Sequence, residues 1–191
     1  MERNYHDYYQ ALYRVAQTVN SSLDLREVLS ELTRSVTEAT GFKACSLRLL
    51  APDRNRLLPA AVHGLSSAYV DKGPVLLENS PIDRLIIAGE VVQITDAASD
   101  PRWQYPEETE TEGICSVLSV PLRAKARIIG VLRTYTATPH LFDQEETQLL
   151  LALANLGALA IENARCYEET RSDYHRTLDA LMGFPVAAGA M

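Results

Sequence analysis

The feature that most constrains this chain is a pair of alternating stretches, each followed by a turn and a second stretch that can return alongside it. Residues 44–50 set Cys45, Leu47 and Leu49 against Ser46 and Arg48; Pro52, Asp53 and Asn55 punctuate the next few residues, and 57–62 returns. Residues 114–122 and 128–136 repeat the arrangement around the basic turn 123–127. Alternation of period two is a strand signal, and a turn between two such runs makes an antiparallel hairpin. Segments of helical period bracket both hairpins, in the order helix, hairpin, helices, strand, loop, hairpin, helix. That order predicts an α+β fold: a central antiparallel sheet of five to six strands, helices packed on one face, and extended N- and C-terminal helices.

The first helix has a narrow seam. Tyr5, Tyr8, Leu12, Val15 and Val19 recur at three- and four-residue steps, the pattern of paired helices rather than of a broad core face. After Asn20-Ser21-Ser22, Asp24 caps a second helix with Glu27 as its reciprocal partner, and Gly41 supplies the stop. Leu25, Val28, Leu29, Leu32 and Val36 give this helix a wider stripe, suited to a core. A short helical piece follows at 66–72, Pro81 begins another helix that ends at Gly89, and 91–94 reads as a strand. Residues 95–113 show no clear period. Asp143 caps the last helix, with Glu145 and Glu146 in its first turn. Its pattern runs on to Tyr167, Tyr174 and Leu181 at seven-residue spacing, with Leu178 between, and Gly183 and Pro185 end it.

The two seams predict a homodimer joined as a coiled coil through Tyr5, Tyr8, Leu12, Val15, Val19, Tyr167, Tyr174, Leu178 and Leu181. Each large apolar side chain left in water forfeits roughly 1.5–3 kcal/mol, which pairing across a two-fold axis recovers.

A net charge of −7, with no run of Lys or Arg, leaves nucleic acid and anionic membranes as poor partners. The polar N-terminus does not look like a secretory signal, and the longest apolar run, 149–161, is interrupted by Asn155 and Gly157. Cys45, Cys115 and Cys166 lie far apart without a C-x-x-C spacing, as expected of reduced thiols in a cytoplasmic protein.

Several segments in order resemble one family. LDLREVL at 23–29 is similar to the first helix of GAF domains, and CSLRLL at 45–50 with AVHGLS at 61–66 is similar to their first hairpin. SPIDRLI at 80–86, GEVV at 89–92, DAASDPRW at 96–103, EGICSVLSVPL at 112–122 and IGVL at 129–132 follow in family order. FDQEE at 142–146 leading to AIENAR at 160–165 resembles the closing helix. The resemblance divides the chain into an N-terminal dimerisation helix (1–22), a GAF domain (23–165) and a C-terminal helix extension with a tail (166–191). It implies helices on one face of the sheet, a small-molecule pocket on the other, and a regulatory role in signalling.

On the family's geometry the pocket wall comprises Leu47, Leu49, Val62, Tyr69, Ile82, Leu85, Ile86, Leu118, Val120 and Tyr135. Trp103 and Tyr105, on the unpatterned loop, supply flat area able to cover a ligand or to pin the loop to the sheet. A wall this apolar suits a hydrophobic or aromatic ligand, or a closed pocket with none. The acidic run 107–112 reads as a solvated rim that repels anions unless Arg84 or Arg102 compensates.

No cofactor is named by the residues. Members of the family that bind cyclic nucleotides carry a signature whose positions here are Thr136, Ala137, Phe142, Glu146 and Thr147; only Phe142 is kept, with Glu146 a partial match. None of the three cysteines has the neighbouring histidine frequent in bilin attachment. Haem or iron needs a pocket histidine, for which His63 is the candidate, although a strand-end hydrogen-bonding group is the simpler role. No catalytic or metal-binding set is expected. The expectation is a non-catalytic sensor that binds a small molecule and signals through its terminal helices in a dimer, with a signalling protein as a further candidate partner. A ligand-free dimerisation or docking module is the alternative. A thiol-based methionine sulfoxide reductase using Cys45 and Cys115 ranks third.

Overall fold

Two helices lead into the sheet, and their caps fix where each begins and ends. In the computed structural model, which describes residues 5–22 and 24–182 (side chains at 168, 169 and 172–182 excepted), α1 spans Tyr5–Ser21 and α2 spans Leu25–Thr40. The Asp24 carboxylate accepts the Arg26 N–H at 2.8 Å, a side-chain cap at the head of α2. The reciprocal link expected of Glu27 passes through Ser22 instead: Asp24 N–H donates to the Ser22 hydroxyl, which donates to Glu27. Gly41, at φ +69°, ends the helix in the left-handed conformation and returns its N–H to Thr37 O.

Six strands follow: β1 (Ala44–Leu50), β2 (Arg56–His63), β3 (Val75–Leu76), β4 (Val92–Ile94), β5 (Val117–Ala124) and β6 (Arg127–Tyr135). They form one antiparallel sheet in the order β3-β2-β1-β6-β5-β4. The two hairpins expected from the alternation are β1–β2 and β5–β6, and the long-range pairing of β1 with β6 joins them at the sheet's centre. Between the hairpins lie α3 (Ser67–Val70), α4 (Pro81–Ile87) and α5 (Pro106–Thr111). The last of these forms inside the stretch that shows no period in the sequence, with Pro106 in its first turn. α6 runs over Gln144–Met182.

One face of the sheet is covered by α2 and α6, with α1 lying against both. Leu47, Leu118, Val120, Leu122 and Leu132 meet Leu29, Leu32 and Val36 of α2 and Leu149, Leu150 and Leu153 of α6 in one buried cluster. Gly157 lets α6 approach this closely, since a Cβ there would lie 2.7 Å from Leu32 Cδ1. The stretch Gln144–Tyr167 is long and apolar enough to cross a membrane by length and composition, more than the 149–161 run suggests. Its inward residues, Leu149 to Ala158 in helical steps, are buried in this core.

The seam of α1 turns inward as well. Val15 is fully buried, and Tyr8, Leu12 and Val19 are half-buried against the same core. A groove between two helices of its own chain presents α1 with as narrow a target as a partner helix does, so the expected interface is here satisfied internally. Tyr5 and Tyr167 remain exposed. The side chains of Tyr174, Leu178 and Leu181, and everything from Gly183 on, lie outside the described residues.

Candidate functional site

On β1 the residues alternate with those in the helix-side core, so Ala44, Ser46 and Arg48 turn to the opposite face of the sheet. The pairings Ser46 with Arg133 and Ser119 with Arg133 lay a polar row across β1, β6 and β5 on that face. Tyr135 stands beside it, its hydroxyl 2.9 Å from Ser46 Oγ. Over this row come Tyr69 of α3 and Lys72 just beyond it, Ser80 and Asp83 at the head of α4, and Trp103, Gln104 and Tyr105 from the loop before α5. Together with Arg48 and Val75 they line a cavity of about 20 Å³, the size of one water molecule.

Its electrostatics are unusual for a buried place. Arg133 is 5% exposed; Nη2 donates to Asp83 Oδ1 at 2.7 Å and Nε to Ser119 Oγ at 2.7 Å. Asp83, 2% exposed, also accepts the Ser80 hydroxyl at 2.7 Å, and that serine caps α4. Burial opposes the Arg133 charge, but Asp83 together with Tyr135 and Tyr69 raises its pKa and holds the guanidinium protonated. The guanidinium carbon lies 4.8 Å from the Trp103 ring centre, a cation–π contact. Lys72 Nζ donates to Tyr69 O at 2.8 Å and sits 3.4 Å from the Tyr69 ring centre. Burial, followed by repulsion from Arg48 and Arg133, lowers its pKa to about 7, against a partial offset from Glu108 and Glu112. Burial likewise pushes the Tyr69 phenol well up.

Two groups at this cavity lack a protein partner among the described residues, the Arg48 guanidinium and the Gln104 carbonyl oxygen. Arg48 is 5% exposed, and its guanidinium makes no hydrogen bond or ion pair among the described residues. Gln104 Oε1 is buried with no donor. Elsewhere the cover is well fastened. Tyr105 OH donates to Pro74 O at 2.8 Å and Trp103 Nε1 to Thr109 Oγ1 at 2.8 Å. Glu112 accepts from the Ser66 N–H and hydroxyl and stands 4.0 Å from Lys43 Nζ. This end of the acidic run is thus a clasp rather than a solvated rim. Arg84 and Arg102 bind Leu77 O, Glu78 O and Asp100, away from that run.

Of the residues expected to form the wall, Tyr69, Trp103, Tyr105 and Tyr135 line the cavity, and Ile82, Leu85 and Ile86 pack in the apolar cluster behind it. Val62 pairs with Ser46 and is half-buried at the end of β2. Leu47, Leu49, Leu118 and Val120 are on the other side of the sheet, against the helices. The expectation of an apolar wall therefore fails by one residue of strand register. The residues it misses are Arg48, Lys72, Val75, Ser80, Asp83, Gln104 and Arg133. The signal was present in the polar positions Ser46, Arg48, Ser119 and Arg133, which fall on strands whose both faces are covered.

The remaining candidates have structural surroundings. Phe142 is buried in the helix-side core, and Glu146 closes a capping box with Asp143 while contacting His140 at 2.9 Å. His63 is exposed. Cys45 is buried on the helix face, where burial drives its thiol pKa up, and Cys115 is half-buried with Sγ 3.7 Å from Thr95 O. Among the described residues no group of three or more His, Cys, Asp or Glu is placed to hold a metal ion.

A hairpin–hairpin sheet with helices on one face and a polar cavity on the other defines a regulatory class of domain. The GAF domain family model matches residues 22–162, and the chain belongs to that family. It is a GAF regulatory domain of the kind carried by sensor kinases and transcriptional activators. Over 176 residues it is 26% identical to an uncharacterized sensor-like histidine kinase of Chloroflexus aurantiacus, covering 92% of this chain and 28% of that protein. It is 25% identical to the formate hydrogenlyase transcriptional activator of Salmonella typhimurium, covering 91% and 26% respectively. The chain thus spans about a quarter of the length of these relatives. Among solved structures, the GAF domain of an Acinetobacter phosphoenolpyruvate-protein phosphotransferase superposes with a TM-score of 0.71 at 26% identity, covering 83% of this chain and 94% of that one. A free methionine-R-sulfoxide reductase from Neisseria meningitidis, at 20% identity and a TM-score of 0.71, shares the fold, with 84% of this chain and 91% of that one covered.

Proposed function

We propose that the chain is a non-catalytic, cytoplasmic sensor domain that takes a small molecule between the sheet and the Trp103–Tyr105 cover, and that it signals through α1 and α6 in a homodimer. The carrying observation is the polar cavity, with the unpartnered Arg48 guanidinium and Gln104 Oε1, on the sheet face opposite those helices. Leu47 and Arg48 are adjacent on β1, so a shift of the strand at the cavity is felt by the helix-side core. A ligand acts only through a different affinity for two helix arrangements.

For the dimer, the available surface is the outer face of α1, where Tyr5, Tyr9 and Tyr13 recur at four-residue spacing with 62%, 69% and 54% exposure, together with exposed Leu159 and Tyr167 of α6. Light scattering at micromolar concentration should give twice the 21.2 kDa chain mass, and Tyr9→Glu with Tyr13→Glu should shift it to monomer. A clean wild-type monomer removes the dimer from this reading.

The second reading is a docking module without a ligand. The small cavity volume favours it, because the domain's own side chains already occupy most of the space. Native mass spectrometry of freshly purified protein separates the two: bound mass supports the sensor, bare protein the module. A reductase has less support, since the Cys45 thiol is buried on the face away from the cavity.

A further inference from the structure

We infer that the cavity is a receptor for a small oxyanion, seated on the Arg48 guanidinium with Lys72 and Arg133 beside it. This rests on the sensor reading and names the chemistry of the occupant. Two guanidiniums, Arg48 and Arg133, and the Lys72 amine converge on the cavity against one lining carboxylate, Asp83. That carboxylate is already engaged by Arg133 and Ser80. No other lining group can neutralise Arg48: the Tyr135 hydroxyl is tied to Ser46, and the Tyr69 hydroxyl lies 3.3 Å from Thr109 Oγ1. Of the acids on or next to α5, Glu112 is held by Ser66 and Lys43, and Glu108 is exposed.

An ionised group this deeply buried is stable only when something pairs with it. A guanidinium offers its donors as a planar fork, which fits two oxygens of a carboxylate or phosphate. Gln104 adds an amide at the same cavity whose oxygen has no donor. Its Nε2 donates to Pro74 O at 3.5 Å, and turning the amide over exchanges that long contact for an NH₂ edge presented to an anion. The cavity as it stands holds about one water, so an oxyanion of a few non-hydrogen atoms enters as the cover lifts.

The chain carries its own reporter, because Trp103 is the single tryptophan and lines the cavity. The experiment titrates the full chain with sodium formate, sodium acetate and sodium phosphate. Sodium chloride at matched ionic strength and neutral acetamide are the references, with Trp103 emission and the melting midpoint as readouts. An oxyanion should give a saturable response that chloride and acetamide do not. Arg48→Met should weaken it at least tenfold, and Arg48→Lys should retain part of it. Carboxylates responding alone assign the occupant to that class; phosphate responding more strongly supports the oxyanion and assigns it to the tetrahedral one. Lys72→Met, expected to weaken binding several-fold, serves if circular dichroism shows Arg48→Met unfolded. No saturable oxyanion response, an equal response to chloride, or undiminished affinity in both variants overturns the inference. A saturable response to acetamide matching acetate overturns the charge assignment and leaves the sensor reading standing.

Discussion

Along β1, Cys45, Leu47 and Leu49 turn into a core of leucine, valine and alanine, while Ser46 and Arg48 turn toward charge, hydroxyls and aromatic rings. The two sides of one sheet are therefore held by different forces. Against α2 and α6 the contacts are non-directional burial, which tolerates changes that conserve volume. Under the cover, stability depends on particular donors meeting particular acceptors, and an error in one partner leaves a charge stranded. The first side specifies the fold. The second, where Gln104 Oε1 is buried without a donor and Arg48 has no protein partner, gives up stability.

That comparison is broken most severely at Asp83. Asp83→Ala leaves Arg133 buried without its counter-ion and should cost about 3–5 kcal/mol. Urea denaturation measures it, and Asp83→Ala combined with Arg133→Met should recover much of the loss. If the single change costs under about 1 kcal/mol, the second face is not charge-held. On the helix side Leu153→Ala, at a fully buried position of α6, should cost about 2–5 kcal/mol through lost burial and a cavity, with no dependence on pH or salt.

A smaller effect sharpens the contrast. Lys72 titrates near 7 in the folded chain against 10.5 when free of its surroundings. Between those values the unfolded chain holds the additional proton, so stability rises as pH climbs from about 7 toward 10.5. Below about 7 the ammonium is present in both states, and the penalty for burying it beside Arg48 and Arg133 is full. Lys72→Met should therefore raise the melting midpoint most below pH 7, with the advantage fading above it. A gain that is constant with pH would mean that the ammonium is not disfavoured in the fold.

The sequence made legible whatever depends on neighbouring residues. Gly41 as a stop, Pro81 at the start of α4, Asp143 at the head of α6 and both hairpins are short-range physics, and all are in the structure. The facing of the strands was harder. With both sides of the sheet covered, the rule that apolar residues point inward selects Leu47, Leu49, Leu118 and Val120, which are inward on the helix side. The charges are hard to group from the sequence because Arg48 stands on β1, Lys72 just past α3 and Arg133 on β6, and they meet only after β1 pairs with β6. The α1 seam packs on the core of its own chain, and its period alone cannot say whether the groove that receives it belongs to the same chain.

The unbroken length of α6 has a consequence of its own. Thirty-nine residues make a rod of about 58 Å whose first turns are fixed in the core by Leu149, Leu150 and Leu153. A rigid rod transmits rotation as well as displacement, so the angular phase at Met182 is set at the sheet. Adding one residue beyond Cys166 turns that end by about 100°, whereas seven residues restore its bearing to within about 20°. Whatever is joined to α6 is thus clocked against the sheet, and the sensitivity of an output to the number of residues inserted there reads that clock directly.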